Sequence, residues 1–269
     1  MKMIDRHFRL PGIEELNKDQ DRVLRLPKEG QFLVVGAPGT GKSVVALLRM
    51  MKYKAGGDYV FLVYNKVLAA ATRQLVKGGF NSNSWKQWFY RIVHKKTNSD
   101  VPQSCEYTPD YKKIIGLLEE LNLDQVELKL IIDEGQDMPP EFYESLMCLG
   151  MSNFFVTADQ NQQLTDEHSS TKEIRNKLAL EISDVIELKE NFRNAFSIAR
   201  LAQHFYTDPS SPKPDLPPET KNSLKVPILY EYDQRKFEDK LIPSILKKSD
   251  RDPRWLIGIF CSNNKVREK

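Results

Sequence analysis

Residues 34–46 read V-V-G-A-P-G-T-G-K-S-V-V-A: an apolar run, a glycine-rich turn, and a Lys-Ser pair that opens a second apolar run. This is the order strand, loop, helix. In such a unit Gly36, Ala37, Pro38, Gly39, Thr40 and Gly41 form a loop whose main-chain N–H groups close around a β-phosphate. Lys42 reaches the β- and γ-phosphates, and the Ser43 hydroxyl ligates Mg²⁺. A strand feeding a helix through a short loop also implies a parallel sheet, because the helix must carry the chain back to the start of the next strand.

Working outward, QFLVVGA (31–37), YVFLVY (59–64), LKLIID (128–133) and NFFVTA (153–158) are short β-branched or aromatic runs of the kind that form strands buried on both faces. Between and after them, VVALLRMMKYKA, KVLAAATRQLVK and EFYESLMCLG carry helical patterns. The expected architecture is therefore α/β, a parallel doubly wound sheet. Two stretches break the rhythm. The polar segment at about 78–125 reads as an insertion between strands. TDPSSPKPDLPPETKNS (207–223) is Pro/Ser-rich and reads as a linker. Beyond it VPILYEYD, a helix over 235–248 and RWLIGIFC make one strand-helix-strand unit. The expected domains are 1–184, and 185–269 as a partial second α/β domain.

Composition narrows the classes. The 269-residue chain has a net charge of +3, too small to imply a nucleic-acid partner by itself. No apolar run approaches the ~18 residues of a membrane span, and the N-terminus MKMIDRHFRL lacks a signal peptide's apolar stretch. A cytoplasmic protein with no membrane partner is expected. Cys105, Cys148 and Cys261 are far apart and suggest neither a zinc site nor a disulfide framework.

The second chemical signal is LKLIIDEGQDM. A strand ending in Asp133-Glu134 places one carboxylate to hold Mg²⁺ and a second to orient and deprotonate an attacking water. Hydrolysis is favoured over transfer to a metabolite, which argues against a small-molecule kinase. A nucleotide switch that governs binding to a partner protein, without unwinding, also fits a P-loop.

DEGQD (133–137) closely resembles the DEAQD form of the Walker B motif in superfamily 1 DNA helicases of the UvrD/Rep-like branch, and further matches follow in order. LNKDQ (16–20) resembles the Q motif, which implies that Gln20 reads an adenine edge. VYNKVLAAATRQL resembles motif Ia, and SNSWKQWFYRI the motif after it. These imply that Asn65, Ser84, Trp85 and Trp88 lie along single-stranded DNA. Packing in a core fits the helical spacing of Trp85 and Trp88 as well. FFVTADQNQQ resembles motif III, with Asp159 and Gln162 coupling the γ-phosphate to the DNA site. ELKENFRNAFSIARLAQHFY resembles motif IV and implies that Arg193 is an arginine finger. The resemblance implies a RecA-like P-loop NTPase that uses ATP and Mg²⁺, with single-stranded DNA, or RNA, as partner. Catalytic roles fall to Lys42, Glu134, Gln162 and Arg193. QQLTDEHSS lacks the aromatic residues that usually follow motif III. No counterpart of motifs V and VI is present, so the second motor domain is expected to be loosely docked or completed by another chain.

Overall fold

The computed structural model describes residues 10–53, 59–64, 69–70, 72–73, 82–159, 168–191, 194–206, 213, 215–219 and 237–251. In chain order the first elements are α1 (Lys18–Leu24), β1 (Gln31–Gly36), α2 (Lys42–Tyr53), β2 (Tyr59–Val63), β3 (Ser82–Ser84) and α3 (Trp85–Thr97). Then come β4 (Gln103–Cys105), β5 (Thr108–Pro109), α4 (Tyr111–Leu121), β6 (Val126–Ile132), α5 (Pro140–Cys148), β7 (Met151–Ala158), α6 (Thr171–Lys177), β8 (Val185–Leu188) and α7 (Phe196–Ala202).

Six strands form one sheet in the order β3-β2-β6-β7-β1-β8, and every neighbouring pair is parallel. Side chains alternate between its faces with the period of two that a strand imposes. Leu33, Val60, Leu62, Leu130, Ile132, Phe154 and Val156 face a layer that includes Phe89 of α3, Ile114 and Leu118 of α4, and Phe142 and Leu146 of α5. Val34, Phe61, Val63, Ile131 and Phe155 face the opposite layer, with Val23 of α1 and Val45, Ala46 and Met50 of α2. Covering both faces is what makes the strands continuously apolar. The fold is the α/β, parallel doubly wound arrangement expected from the sequence pattern, and the RecA-like one that the family resemblance implies.

Short polar side chains set the starts of α1, α4 and α6. Asn17 accepts from the Gln20 N–H while the Gln20 side chain accepts from the Asn17 N–H, and Ser170 and Glu173 do the same at α6. Asp110 caps α4 through the Lys113 N–H. Arg49 of α2 is buried with its guanidinium over the rings of Phe32, Tyr53 and Phe155. It donates to the main-chain carbonyls of Leu26, Pro27 and Lys28, the connection between α1 and β1.

Two organisational expectations change. Ser82–Ser84 pairs with Phe61–Val63 and extends the main sheet, and α3 and α4 cover one of its faces. Among the described residues of the segment read as an insertion, the strands that stand outside the sheet are those of the β4-β5 hairpin. The boundary expected after Asp184 falls inside a compact unit that runs from Phe8 to Val226, since β8 pairs with β1 along Leu33–Gly36. Of the unit that includes Pro227–Lys269, the described residues are a π-helical turn, Phe237–Leu241, and a helix, Ile242–Arg251, where a helix was expected. The expected strands VPILYEYD and RWLIGIFC lie outside the described residues. Of 66–77, read as helical, only 69–70 and 72–73 are described, and they are helical. Among the described residues no helix is long and apolar enough to cross a membrane.

Candidate nucleotide site

Three adjacent parallel strands deliver the site. β1 runs into the phosphate loop, β6 hands on Asp133 and Glu134, and β7 between them ends beside Asp159. Their C-terminal ends share one edge of the sheet, where open α/β sheets carry ligands.

The loop needs its glycines. Gly39 and Gly41 have φ of 89° and 88°, a left-handed conformation that costs any other residue strain. Inside the loop the Thr40 hydroxyl donates to the Ala37 carbonyl at 2.8 Å. Lys42 is buried, and its Nζ donates to the carbonyls of Gly36 at 2.7 Å and Ala37 at 3.1 Å, and to Oδ2 of Asp159 at 3.4 Å. The ammonium thus lies on the loop that would carry phosphate. Gln20 contacts the same loop: its Nε2 donates to the Thr40 carbonyl at 3.0 Å, and its Oε1 accepts from the Asn17 N–H at 3.2 Å. In this structure Gln20 braces the phosphate loop from α1.

The Ser43 hydroxyl donates to Oδ1 of Asp133 at 3.1 Å, and the Thr157 hydroxyl donates to the same oxygen at 2.6 Å. Burial, and then the charge of Glu134, push the Asp133 carboxyl above the usual carboxylate range; the two hydroxyls and Lys42 pull the other way. A carboxylate in contact with a hydroxyl and short of positive charge is a donor set that suits Mg²⁺, which takes one or two protein oxygens and completes its shell with phosphate and water.

Glu134 has φ 55° and ψ 50°. A left-handed non-glycine residue is uncommon, and such residues gather at functional sites. Its Oε2 accepts from Nε2 of Gln136 at 3.0 Å, and Oε1 of Gln136 accepts from the Asp159 N–H at 2.9 Å. Gly135 is pinned as well: the Tyr143 hydroxyl donates to its carbonyl at 2.7 Å. A Cβ at this position would lie 2.5 Å from Cγ1 of Val156 and 2.7 Å from that hydroxyl. Burial and the charge of Glu134 push Asp137 up to about 6.

Of the expected residues, the structure brings together Gln20, the loop Gly36–Gly41, Lys42, Ser43, Asp133 and Glu134. Asn65, Gln162 and Arg193 lie outside the described residues. The expected nucleic-acid residues on α3 need correction. Trp85 is 3% exposed and Trp88 6% exposed, both in the core layer, and Trp85 meets Phe142 edge-on at 5.0 Å. A ring enclosed in this way has no face to offer a base. Ser84, at the end of β3, is buried too. Sequence reasoning missed Gln136 and Thr157 as parts of the acidic cluster, and Asp159 as the partner of Lys42. Gln136 sits inside the quoted DEGQD, and Thr157 stands two residues before Asp159.

Comparison with known proteins bears on this architecture. The family described as "Schlafen group 3, DNA/RNA helicase domain" matches residues 30–226. No curated protein matches. Solved structures with partial likeness include Pif1 helicase from Candida albicans, 16% identical with a TM-score of 0.43 over 66% of this chain and 40% of that one. Bacteroides Pif1 bound to ssDNA is 15% identical with a TM-score of 0.37, covering 70% and 45%. The Hef helicase domain of Pyrococcus furiosus is 15% identical with a TM-score of 0.38, covering 68% and 38%. The chain spans less than half the length of each of these structures. With the match running from β1 through β8 and α7, this chain belongs to the Schlafen group 3 DNA/RNA helicase domain family.

Proposed function

We propose that this domain hydrolyses ATP under the control of single-stranded nucleic acid, as the nucleotide-binding part of a superfamily 1 helicase-type motor in the pattern of the UvrD/Rep-like branch. The observation that carries the reading is the joined cluster Ser43–Asp133–Thr157 beside Lys42, with Glu134 held by Gln136 next to it. It combines a phosphate cradle, a metal-binding pair and a second, separately oriented carboxylate on one sheet edge.

Lys42 exchanges its loop carbonyls for the β- and γ-phosphate oxygens. Ser43 and Asp133 would hold Mg²⁺, which when bound would supply neutralisation of the charge developing on the phosphates. Glu134 accepts a proton from the attacking water, and Gln136 keeps its carboxylate in one orientation. Gln20 reads the adenine edge on exchanging the Thr40 carbonyl for the base, Gln162 senses the γ-phosphate, and Arg193 stabilises transition-state charge. Closure comes from a second α/β domain, in this chain or in a partner chain.

Steady-state ATP turnover with and without single-stranded DNA or RNA tests the reading. A motor accelerates on the strand, and Arg193→Ala abolishes the acceleration. Turnover that ignores both strands at saturating concentration rejects it.

A further inference from the structure

The β4-β5 hairpin, outside the main sheet, turns through Glu106 and Tyr107. Tyr107 has φ 61° at the second central position of the turn, where Gly or Asn is the ordinary occupant. A tyrosine there carries backbone strain of the kind that gathers at functional positions. Two side chains fix it in place. Its N–H donates to Oε1 of Gln103 at 3.1 Å, and its carbonyl accepts from Nζ of Lys86 at 3.1 Å. With its main chain held on both sides, the residue is still 74% exposed.

Lys86 is the second residue of α3, which starts where β3 ends, so the Lys86 contact sets Tyr107 beside the C-terminal edge of the sheet. This is the edge that carries the phosphate loop and the acidic cluster. Lys86 also lies over the Trp85 ring at 5.6 Å. Along the outside of α3, Lys86, Arg91, His94 and Lys95 are exposed, and the helix contains no acidic residue. Carboxylates in the adjoining chain are Asp100, just after α3, Glu106 on the turn, and Asp110, which pairs with Lys113 at 2.9 Å. An exposed, rigidly held aromatic next to a cationic face is the combination that takes single-stranded nucleic acid: the ring stacks on a base, and the cations follow the phosphates.

We propose that Tyr107 is a stacking platform for a base of single-stranded nucleic acid, with the basic outer face of α3 tracking the backbone. The inference rests on the motor reading and gives its strand a path at the β3 end of the sheet. It moves the aromatic contact from the core tryptophans to a hairpin residue.

The test is fluorescence anisotropy of the 269-residue chain with labelled oligo-dT, oligo-U and an abasic oligomer at fixed salt. Tyr107→Gly removes the ring and suits the positive φ, so its fold is kept. It is expected to bind both base-bearing strands about tenfold more weakly than the parent and the abasic strand equally well. Tyr107→Phe should bind like the parent. Lys95→Ala should lower the slope of log affinity against log salt by about one phosphate contact, and an unchanged slope removes α3 from the backbone track. Parent-like binding of base-bearing strands by Tyr107→Gly overturns the platform while leaving the motor reading intact, as does an equal loss on the abasic oligomer. A parent that binds none of the strands overturns both.

Discussion

Gln136 and Asp159 meet through one hydrogen bond, the Asp159 main-chain N–H donating to Oε1 of Gln136 at 2.9 Å, and that bond leaves the amide nitrogen of Gln136 aimed at Glu134. The side chain therefore ties the end of β7 to the proposed general base. Gln136→Ala should leave ATP affinity within about twofold and lower kcat by about 10²-fold, the scale of loss from misplacing a reacting group by an ångström. Gln136→Glu cannot donate and adds a like charge beside Glu134, so it should be at least as slow. Equilibrium ATP binding measured alongside single-turnover hydrolysis separates this outcome from general damage, which would lower both.

Lys42 and Glu134 should fail differently. In the proposed mechanism Lys42 neutralises phosphate charge in the ground state as well as the transition state, so Lys42→Ala should weaken ATP binding by about 1.5–3 kcal/mol, the scale of a charge-assisted hydrogen bond. Glu134→Gln keeps the shape, loses the base, and should bind ATP normally while hydrolysis falls by about 10² to 10⁴-fold. Parental turnover in Glu134→Gln would remove the general-base role.

Trp85 belongs to stability. Its ring is enclosed by the layer that holds Phe142 and Phe89, so Trp85→Ala should lower unfolding free energy by about 3–5 kcal/mol in a denaturant titration. Nucleic-acid affinity per folded molecule should not change. A variant of parental stability that has lost single-strand binding would restore the stacking role that its burial excludes.

Asp133 gives a pH signature. Burial and Glu134 raise its folded pKa above the unfolded value. Its contribution to stability is thus complete below the unfolded pKa, about 3.9, and is lost as pH rises through the folded pKa. Asp133→Asn has no such titration. Without nucleotide and with a chelator present, it should melt above the parent at neutral pH, and the gap should close as pH falls toward about 4. A Tm difference that stays constant or widens toward acid would contradict this assignment.

The central strands were legible because burial on both faces leaves little room for polar residues, which is why the runs at 31–37, 59–64, 128–133 and 153–158 stand out. The edges were not legible. β3 is Ser-Asn-Ser, a strand only because Phe61–Val63 offer it a ladder. β8 is Val-Ile-Glu-Leu, long enough to pair with β1 and too short to announce which domain it joins. The phosphate loop and DEGQD were readable because their chemistry is local. The Gln136 bridge spans residues far apart in sequence, and no local pattern encodes it. Trp85, Trp88 and Phe89 share a helical face, a spacing that suits a core and a binding surface equally; only burial decides.

Arg49 makes the far end of α2 part of the surroundings of the proposed nucleotide site. At one end of the α1–α2 pair, Gln20 holds the Thr40 carbonyl. About 10 Å along α2 from Lys42, at 1.5 Å per residue, Arg49 grips the turn at Leu26–Lys28. Fastened at both ends, the two helices behave as a splint, and the set of the phosphate loop is fixed partly by a guanidinium that never approaches a phosphate. Lysine carries its donors on a single nitrogen and lacks the planar fork with which Nη1 and Nη2 of Arg49 reach separate carbonyls. Loosening the splint at Arg49 would therefore register as a change in nucleotide affinity, at a position that inspection of the loop alone would pass over.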